Sequence, residues 1–382
     1  MLALSPLVAP LLIAAYYFTF FGALGIFLPY FSLWLVAHGM PPSDATRVLS
    51  LTPLMSLVVP PLIGLIADAR RLRGWLLRLG TLATACAFLG FFSARTRVAL
   101  YAVTAIFAFC RAPLTSLIDA TTLGHVRHHG GSYGAIRLWG SLGFLVAAVG
   151  AGALIERGGV DVIVGVASWA LAAGAAVSFA LPAAAPVEQK GVVGAWLHLL
   201  GEADAWIFVA AVALAQLATA AYDSGFSLHL SRLGFGGRFI GAAWATGVAA
   251  EIFVLAISAA LMRRASAARL FLFSLATAAV RWTLLARVTS PVAILCLQPL
   301  HGITFGLFWV SGVTVMRDRG HAAPTAAQGL FSAAYGAGSL VGMNLAGRLL
   351  ELGGGQLLYT FAGGSAALAT VAAWLYVRRT RS

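Results

Sequence analysis

Seven ionisable side chains sit inside otherwise apolar runs of this chain: Arg111, Asp119, Arg137, Asp223, Glu251, Arg281 and His301. An ionised group at the centre of a bilayer costs about 2.5–3.5 kcal/mol on insertion scales, so residues kept there need a partner, a watery cavity or a task. Arginine offers a planar fork of donors that suits a carboxylate or hydroxyls. A carboxylate caught between burial and a nearby cation can be poised to take up and release a proton. The chemistry within reach of this set is therefore solute binding and proton movement. For each residue alone, a pair that merely fixes helix register is an equal alternative; seven together favour function. Arg111, Asp119 and Arg137 sum to +1, whereas Asp223, Glu251 and Arg281 sum to −1, so the two groups are complementary.

Asp119 lies in RAPLTSLIDATTL (111–123) and Arg137 in YGAIRLWGSLGF (133–144), with a His- and Gly-rich stretch between them. An antiparallel helical hairpin puts both at similar depth, where each could neutralise the other or grip a polar substrate. Arg111 is eight residues before Asp119, about two turns away on the same helical face. The stretch His125, His128 and His129 offers adjacent histidines without an acid, a poor metal site, and this argues against a membrane enzyme.

The elements that must position these residues are membrane helices. The chain is 60% hydrophobic and 10% charged, with a mean hydropathy of +0.91, against about a quarter charged in soluble domains. Twelve runs reach the roughly 20 apolar residues that cross a bilayer: 8–37, 46–67, 75–94, 98–123, 134–155, 160–182, 206–230, 238–262, 268–288, 291–316, 326–350 and 355–377. The first run is too long for a signal-peptide core and lacks a charged start, so it reads as a retained span. The fold class is all-α integral membrane, twelve helices in two six-helix bundles: residues 1–182, a cytoplasmic linker 183–205, and residues 206–382. WLHLL in the linker could form a short amphipathic surface helix, though a plain linker is favoured.

The net charge of +13 does not indicate nucleic acid, because the charges fall in short loops rather than on one soluble face. Sorted by loop, 14 of the 25 Lys+Arg fall on one side and eight on the other, which assigns the richer side and both termini to the cytoplasm of an inner membrane. Cys86, Cys110 and Cys296 all fall within spans, so neither disulfides nor a metal site is expected. No cofactor is expected.

The halves repeat. FSLWLVAHG at 31–39 returns as FSLHLSRLG at 226–234, and GFLVAAVGAGALIERGG at 143–159 as GSLVGMNLAGRLLELGG at 338–354, both at an offset of 195 residues. Two similar membrane halves are the usual plan of a secondary transporter.

These features together resemble the major facilitator superfamily over nearly the whole chain, and within it the lactose-permease and phenylpropionate-permease-like proton symporters. GLIADARRLRGWLL (64–77) is similar to the superfamily's gating loop, which implies roles for Gly64, Asp68 and Arg73; Arg71 stands where the family has a second glycine. PLTSLIDA (113–120) and YGAIRLWGSLGF resemble the subfamily's signature. The resemblance implies a substrate-binding set of Asp119, Arg137, Phe144, Arg111 and Tyr30, with Phe144 stacking on the substrate. It also implies a proton-coupling set of Glu251, Asp223, His301 and Arg281. Thr304 replaces lactose permease's proton-bearing glutamate, and Gln298 its lysine, so any proton must be carried by Glu251, Asp223 or His301. Importers with this signature imply proton-coupled uptake of a small organic solute by a monomer in the lipid bilayer, with an aromatic acid such as phenylpropionate favoured. A sugar or nucleoside symporter, an exporter of drugs or metabolites with the same fold, and a transporter-like sensor remain open.

Overall fold

The computed structural model describes residues 8–69, 72–181, 203–319 and 324–380, and every regular element among them is helical. Hydrocarbon offers no water to the backbone, so a spanning segment must satisfy its own N–H and C=O groups, which a helix does. Among the described residues, eleven stretches are long and apolar enough to cross a membrane. They are Val8–Ala37, Pro42–Ile63, Arg73–Phe92, Arg97–His129, Tyr133–Gly158, Val162–Ala180, Ala203–Arg232, Gly237–Arg264, Ala267–Leu285, Pro291–Arg319 and Ala327–Arg379. The last is two helices, because Gly353 (φ −148°, ψ 21°) and Gly354 (φ 62°, ψ −161°) leave helical geometry. Divided there, the chain has the twelve spans expected, numbered here one to twelve in chain order. Their outward faces keep large apolar side chains exposed, Trp169 at 80% and Leu352 at 72% among them, as contact with lipid requires.

Several spans are interrupted, with consequences for the site. Span four is two helices, Arg97–Arg111 and Leu114–His129, separated at Ala112-Pro113. Proline has no N–H to donate back up the helix, which weakens the ladder there. The uninterrupted helix expected between Arg111 and Asp119 is thus broken. Span ten contains a π-helical turn, Gly302–Leu307, directly after His301; such widened turns collect at functional sites.

Contacts divide the chain into two compact units that do not follow the order of the sequence. The first is Met1–Met40, Leu54–Gln189 and Gly236–Ala245; the second is Pro41–Pro53, Lys190–Phe235 and Thr246–Ser382. The start of span two thus packs in the second unit, and the start of span eight in the first. The first unit is built around Phe27, Phe31, Phe88, Phe91 and Phe107, with ring centroids 4.6–6.4 Å apart. The second has a core of Phe208, Phe271, Phe308, Met316, Phe331 and Tyr376. The linker's 182–202 stretch, with its WLHLL segment, lies outside the described residues.

The 195-residue repeat is visible in the packing of each unit. Gly39 (φ 82°) and Gly234 (φ 85°) close equivalent turns in a backbone region that side chains rarely adopt. In the first unit, Gly152 of span five meets the Gly237 carbonyl at the start of span eight. In the second unit, Gly347 of span eleven meets the Pro42 carbonyl at the start of span two. Four residues on, the same pairs of segments are held by a carboxylate. Glu156 accepts the Arg238 N–H at 3.0 Å, and Glu351 accepts the Ser43 N–H at 2.8 Å. Each glutamate thus satisfies one of the orphan N–H groups of a helix start and places negative charge where the helix dipole favours it.

A testable consequence concerns span two. With the native cysteines replaced, Ser43→Cys and Glu351→Cys should form an oxidative cross-link in membranes. Adding Gly347→Leu, whose side chain collides with the Pro42 carbonyl, should reduce the cross-linked fraction severalfold on non-reducing gels. An undiminished cross-link would show that this contact does not depend on the glycine.

Candidate functional site

The first unit gathers an aromatic and charged cluster on spans one, four and five. Tyr17 donates its hydroxyl proton to Asp119 Oδ1 at 2.5 Å, and Thr122 Oγ1 lies 3.1 Å from the same hydroxyl. Arg137 lays its guanidinium over the Phe21 ring, 3.9 Å from the centroid, with the Tyr17 ring at 5.4 Å. Tyr17 and Phe21 are four residues apart, so one face of span one supplies both rings. Gly140, one turn beyond Arg137, makes the room: a side chain there would meet Arg137 Nη1 at 2.6 Å and the Phe21 ring at 3.1 Å. Among the described residues, Asp119 and Arg137 form no ion pair with one another, and Arg137 makes no hydrogen bond. The mutual neutralisation offered by their sequence spacing is therefore not what the structure shows. Each has an aromatic partner on span one, which charge spacing alone does not reveal.

The other members of the expected substrate set lie in different settings. Tyr30 is fully buried and donates to the carbonyl oxygens of Ala148 (2.7 Å) and Gly237 (3.2 Å), which ties span one to span five and to the start of span eight. Phe144 is buried, with the Trp244 ring 6.3 Å away. Arg111 has a buried Nε without a protein partner. Of the gating loop, Gly64 and Asp68 belong to the helix Leu51–Ala69, Arg73 is buried at the start of Arg73–Leu89, and Arg71 lies outside the described residues.

The second unit holds a tighter network. Arg281 is fully buried. Its Nη1 donates to Thr304 Oγ1 at 2.8 Å and reaches His301 Nδ1 at 3.3 Å, while Nη2 donates to Gln298 Oε1 at 3.1 Å. Tyr222 donates to the same Gln298 oxygen at 3.1 Å, and Gln298 Nε2 donates to the Ile294 carbonyl. The rings of Trp282 and Tyr222 flank the guanidinium at 4.4 and 4.8 Å. The two residues that replace the subfamily's lysine and glutamate are thus the neutral acceptors of this arginine.

Glu251 does not pair with Arg281. Its Oε2 faces His301 Nε2 at 3.7 Å. Gly247 and Gly306 let spans eight and ten approach: a side chain at either would crowd the His301 ring or the Glu251 stem at 3.3 Å. Arginine can only donate, so its approach to Nδ1 makes that nitrogen the acceptor and leaves the His301 proton on Nε2, aimed at Glu251. Asp223 is half-buried and makes no hydrogen bond or ion pair among the described residues, although Arg281 lies within its electrostatic reach. No group of three or more His, Cys, Asp or Glu able to hold a metal occurs among the described residues.

Comparison with known proteins places this geometry. Residues 11–361 match the family described as MFS_1 like. The chain is 29% identical over 338 residues to the "Probable 3-phenylpropionic acid transporter" of Escherichia coli (strain K12), covering 86% of this chain and 88% of that protein. It is also 29% identical over 350 residues to the "Maltose permease" of Geobacillus stearothermophilus, covering 90% and 86%. Among solved structures, the nucleoside transporter NupG superposes with a TM-score of 0.84 at 18% identity, over 97% of this chain and 99% of that one. A POT family peptide transporter follows at 0.74 and 14%, over 96% and 95%. At such identities the structures speak to fold alone, and that fold is the major facilitator fold. It is a multi-pass membrane transporter of small molecules and not an enzyme, and the chain belongs to the MFS_1-like family of the major facilitator superfamily.

Proposed function

We propose that this secondary transporter takes up an aromatic monocarboxylate together with protons. The observation that carries the substrate class is Arg137: a cation laid flat on Phe21, beside Tyr17, with no acid of its own among the described residues. A guanidinium so held has its fork of donors open to a carboxylate and an aromatic surface beside it for a ring. The likeness to a phenylpropionic acid transporter supports the same class. The Asp119–Tyr17 pair favours a second reading, since it suits hydroxyl groups; the maltose permease and nucleoside transporter likenesses lie on that side. The proposed protein works as a monomer in the inner membrane with both termini cytoplasmic, on the strength of the loop charge asymmetry.

For the proton, Glu251 is the proposed carrier. His301 Nδ1 faces Arg281, so a second proton on that ring would meet a fixed cation, whereas Glu251 can be protonated without opposing one. Thr304 and Gln298 cannot ionise at working pH, and Arg281 stays charged. Asp223 serves as an assisting acid near that charge.

Two measurements test the proposal. Purified protein screened with 3-phenylpropionate, maltose and uridine at acidic and neutral pH should be thermally stabilised by the aromatic acid. Arg137→Ala should abolish that shift and Arg137→Lys should not restore it; stabilisation by maltose or uridine alone would overturn the substrate class. In reconstituted vesicles, Glu251→Gln should abolish accumulation driven by an inwardly directed proton gradient while substrate exchange at equal pH continues. Unchanged accumulation would remove Glu251 as carrier.

A further inference from the structure

Four buried polar atoms without protein partners form a continuous line through the second unit. They are Arg281 Nε, Trp282 Nε1, Tyr359 Oη and His229 Nε2, from spans nine, twelve and seven. The four residues are 0, 1, 0 and 6% exposed. The Arg281 guanidinium lies 4.4 Å from the Trp282 ring, Trp282 stacks on Tyr359 at 6.0 Å, and Tyr359 meets His229 edge-on at 5.3 Å. One buried orphan costs about 1–3 kcal/mol. Four in contact would cost several times that, and such groups are ordinarily satisfied by bound water. Two of them, the arginine and indole nitrogens, can only donate, so what meets them must accept. The tyrosine hydroxyl and the imidazole can act in either sense. Water serves all four; an anion or a cation would serve only some.

The repeat shows that this is a divergence between the halves rather than a property of the scaffold. His229 occupies the position of Trp34 in the first half, at the same 195-residue offset. Trp34 is satisfied: its Nε1 donates to Asp161 Oδ1 at 3.0 Å. The position equivalent to Asp161 is Gln356, so the second half has lost that acid and gained an imidazole. Span twelve makes way for the ring at Gly355, where any side chain would collide with His229 Nδ1. At its other end the line runs into Arg281, whose Nη1 touches His301, which in turn faces Glu251.

We propose that His229, Tyr359, Trp282 and Arg281 hold a file of bound water that carries protons between the loop end of span seven and the Glu251–His301 pair. The water site stands on the buried atoms; its use as a proton route rests on the coupled reading above. Under the proposed topology that end of span seven faces outside, so the route would load Glu251 from the outer face. Charged and titratable groups along it are Asp223 and Arg232 on span seven, Glu251 on span eight, Arg281 on span nine, His301 on span ten and Tyr359 on span twelve.

The test separates the two layers. X-ray hydroxyl-radical footprinting labels side chains beside bound water even when they are buried. Tyr359 and Trp282 should label severalfold faster than Tyr16, which is equally buried but bonded to Thr81 at 2.8 Å. Labelling of Tyr359 no faster than Tyr16 would overturn the water file. In vesicles, Tyr359→Phe and His229→Phe should each slow gradient-driven uptake about tenfold, the loss of one hydrogen bond at the rate-limiting transfer. Exchange at equal pH should stay within the wild-type range. Rapid labelling with undiminished driven uptake in both variants would overturn the proton route. A wild-type protein that labels but shows no gradient-driven uptake would overturn the coupled reading and leave the water site standing.

Discussion

A guanidinium buried away from water and from lipid headgroups must be solvated by the protein, and the second unit is arranged around that need at Arg281. The desolvation of a lone charge is among the largest unfavourable terms a fold can carry, and pairing with an acid is the usual remedy. Here the remedy is different. Thr304, Gln298 and His301 Nδ1 supply neutral acceptors, and two aromatic faces flank the cation. Because no acid is locked against Arg281, the two carboxylates nearby keep other arrangements. Glu251 faces His301, and Asp223 stays without a hydrogen bond among the described residues. Arginine's inability to accept fixes the His301 tautomer, and this directs the imidazole proton to Glu251. The replacement of a lysine and a glutamate by Gln298 and Thr304 thus removes mobile charge from the centre of the network without leaving the arginine unsolvated.

Much of this was legible in the sequence, for identifiable reasons. Membrane spans announce themselves because each needs about 20 apolar residues, and all twelve runs coincide with helical segments. The cost of charge in lipid pointed to seven residues, and the structure finds six of them in two clusters. What remained hidden depends on partners distant in sequence. That Pro41–Pro53 packs with span eleven, and Gly236–Ala245 with span five, is a matter of close backbone approach at Gly347 and Gly152, which a glycine in a Gly-rich chain does not advertise. Tyr17 and Phe21 were missed because aromatic residues in an apolar helix read as core. The signal available was their four-residue spacing beside an unpaired arginine. Tyr30 shows the converse: its type suits a ligand, but its hydroxyl serves two backbone carbonyls.

The repeat gives each half the same scaffold and lets its chemistry diverge. Equivalent glycines close equivalent turns, and equivalent glutamates cap equivalent helix starts. Against that constancy the polar interior differs. In the first unit the buried tyrosines and Trp34 find partners at hand: Tyr16 with Thr81, Tyr17 with Asp119, Tyr30 with the backbone, and Trp34 with Asp161. In the second unit, Tyr359, Trp282 and His229 do not. A buried polar group without a partner is expensive, so its persistence at three adjoining residues beside the arginine marks a hydrated interior rather than a packing accident.

The division of labour follows from that contrast. A substrate site is best served by a cation that is rigidly placed yet free of acids, and Arg137 meets this by resting on Phe21 in space that Gly140 leaves open. A proton site is best served by a carboxylate whose neighbours change its proton affinity without neutralising it permanently. Glu251 meets this through a neutral imidazole that stands between it and a fixed charge. Exchanging the two environments would defeat both tasks: an acid locked on Arg137 would compete with a carboxylate substrate, and an arginine locked on Glu251 would hold it ionised through the cycle. The glycines at 247 and 306 belong to the same logic, because they allow span eight to bring its carboxylate against the histidine of span ten at the one place where the helix is widened by a π turn.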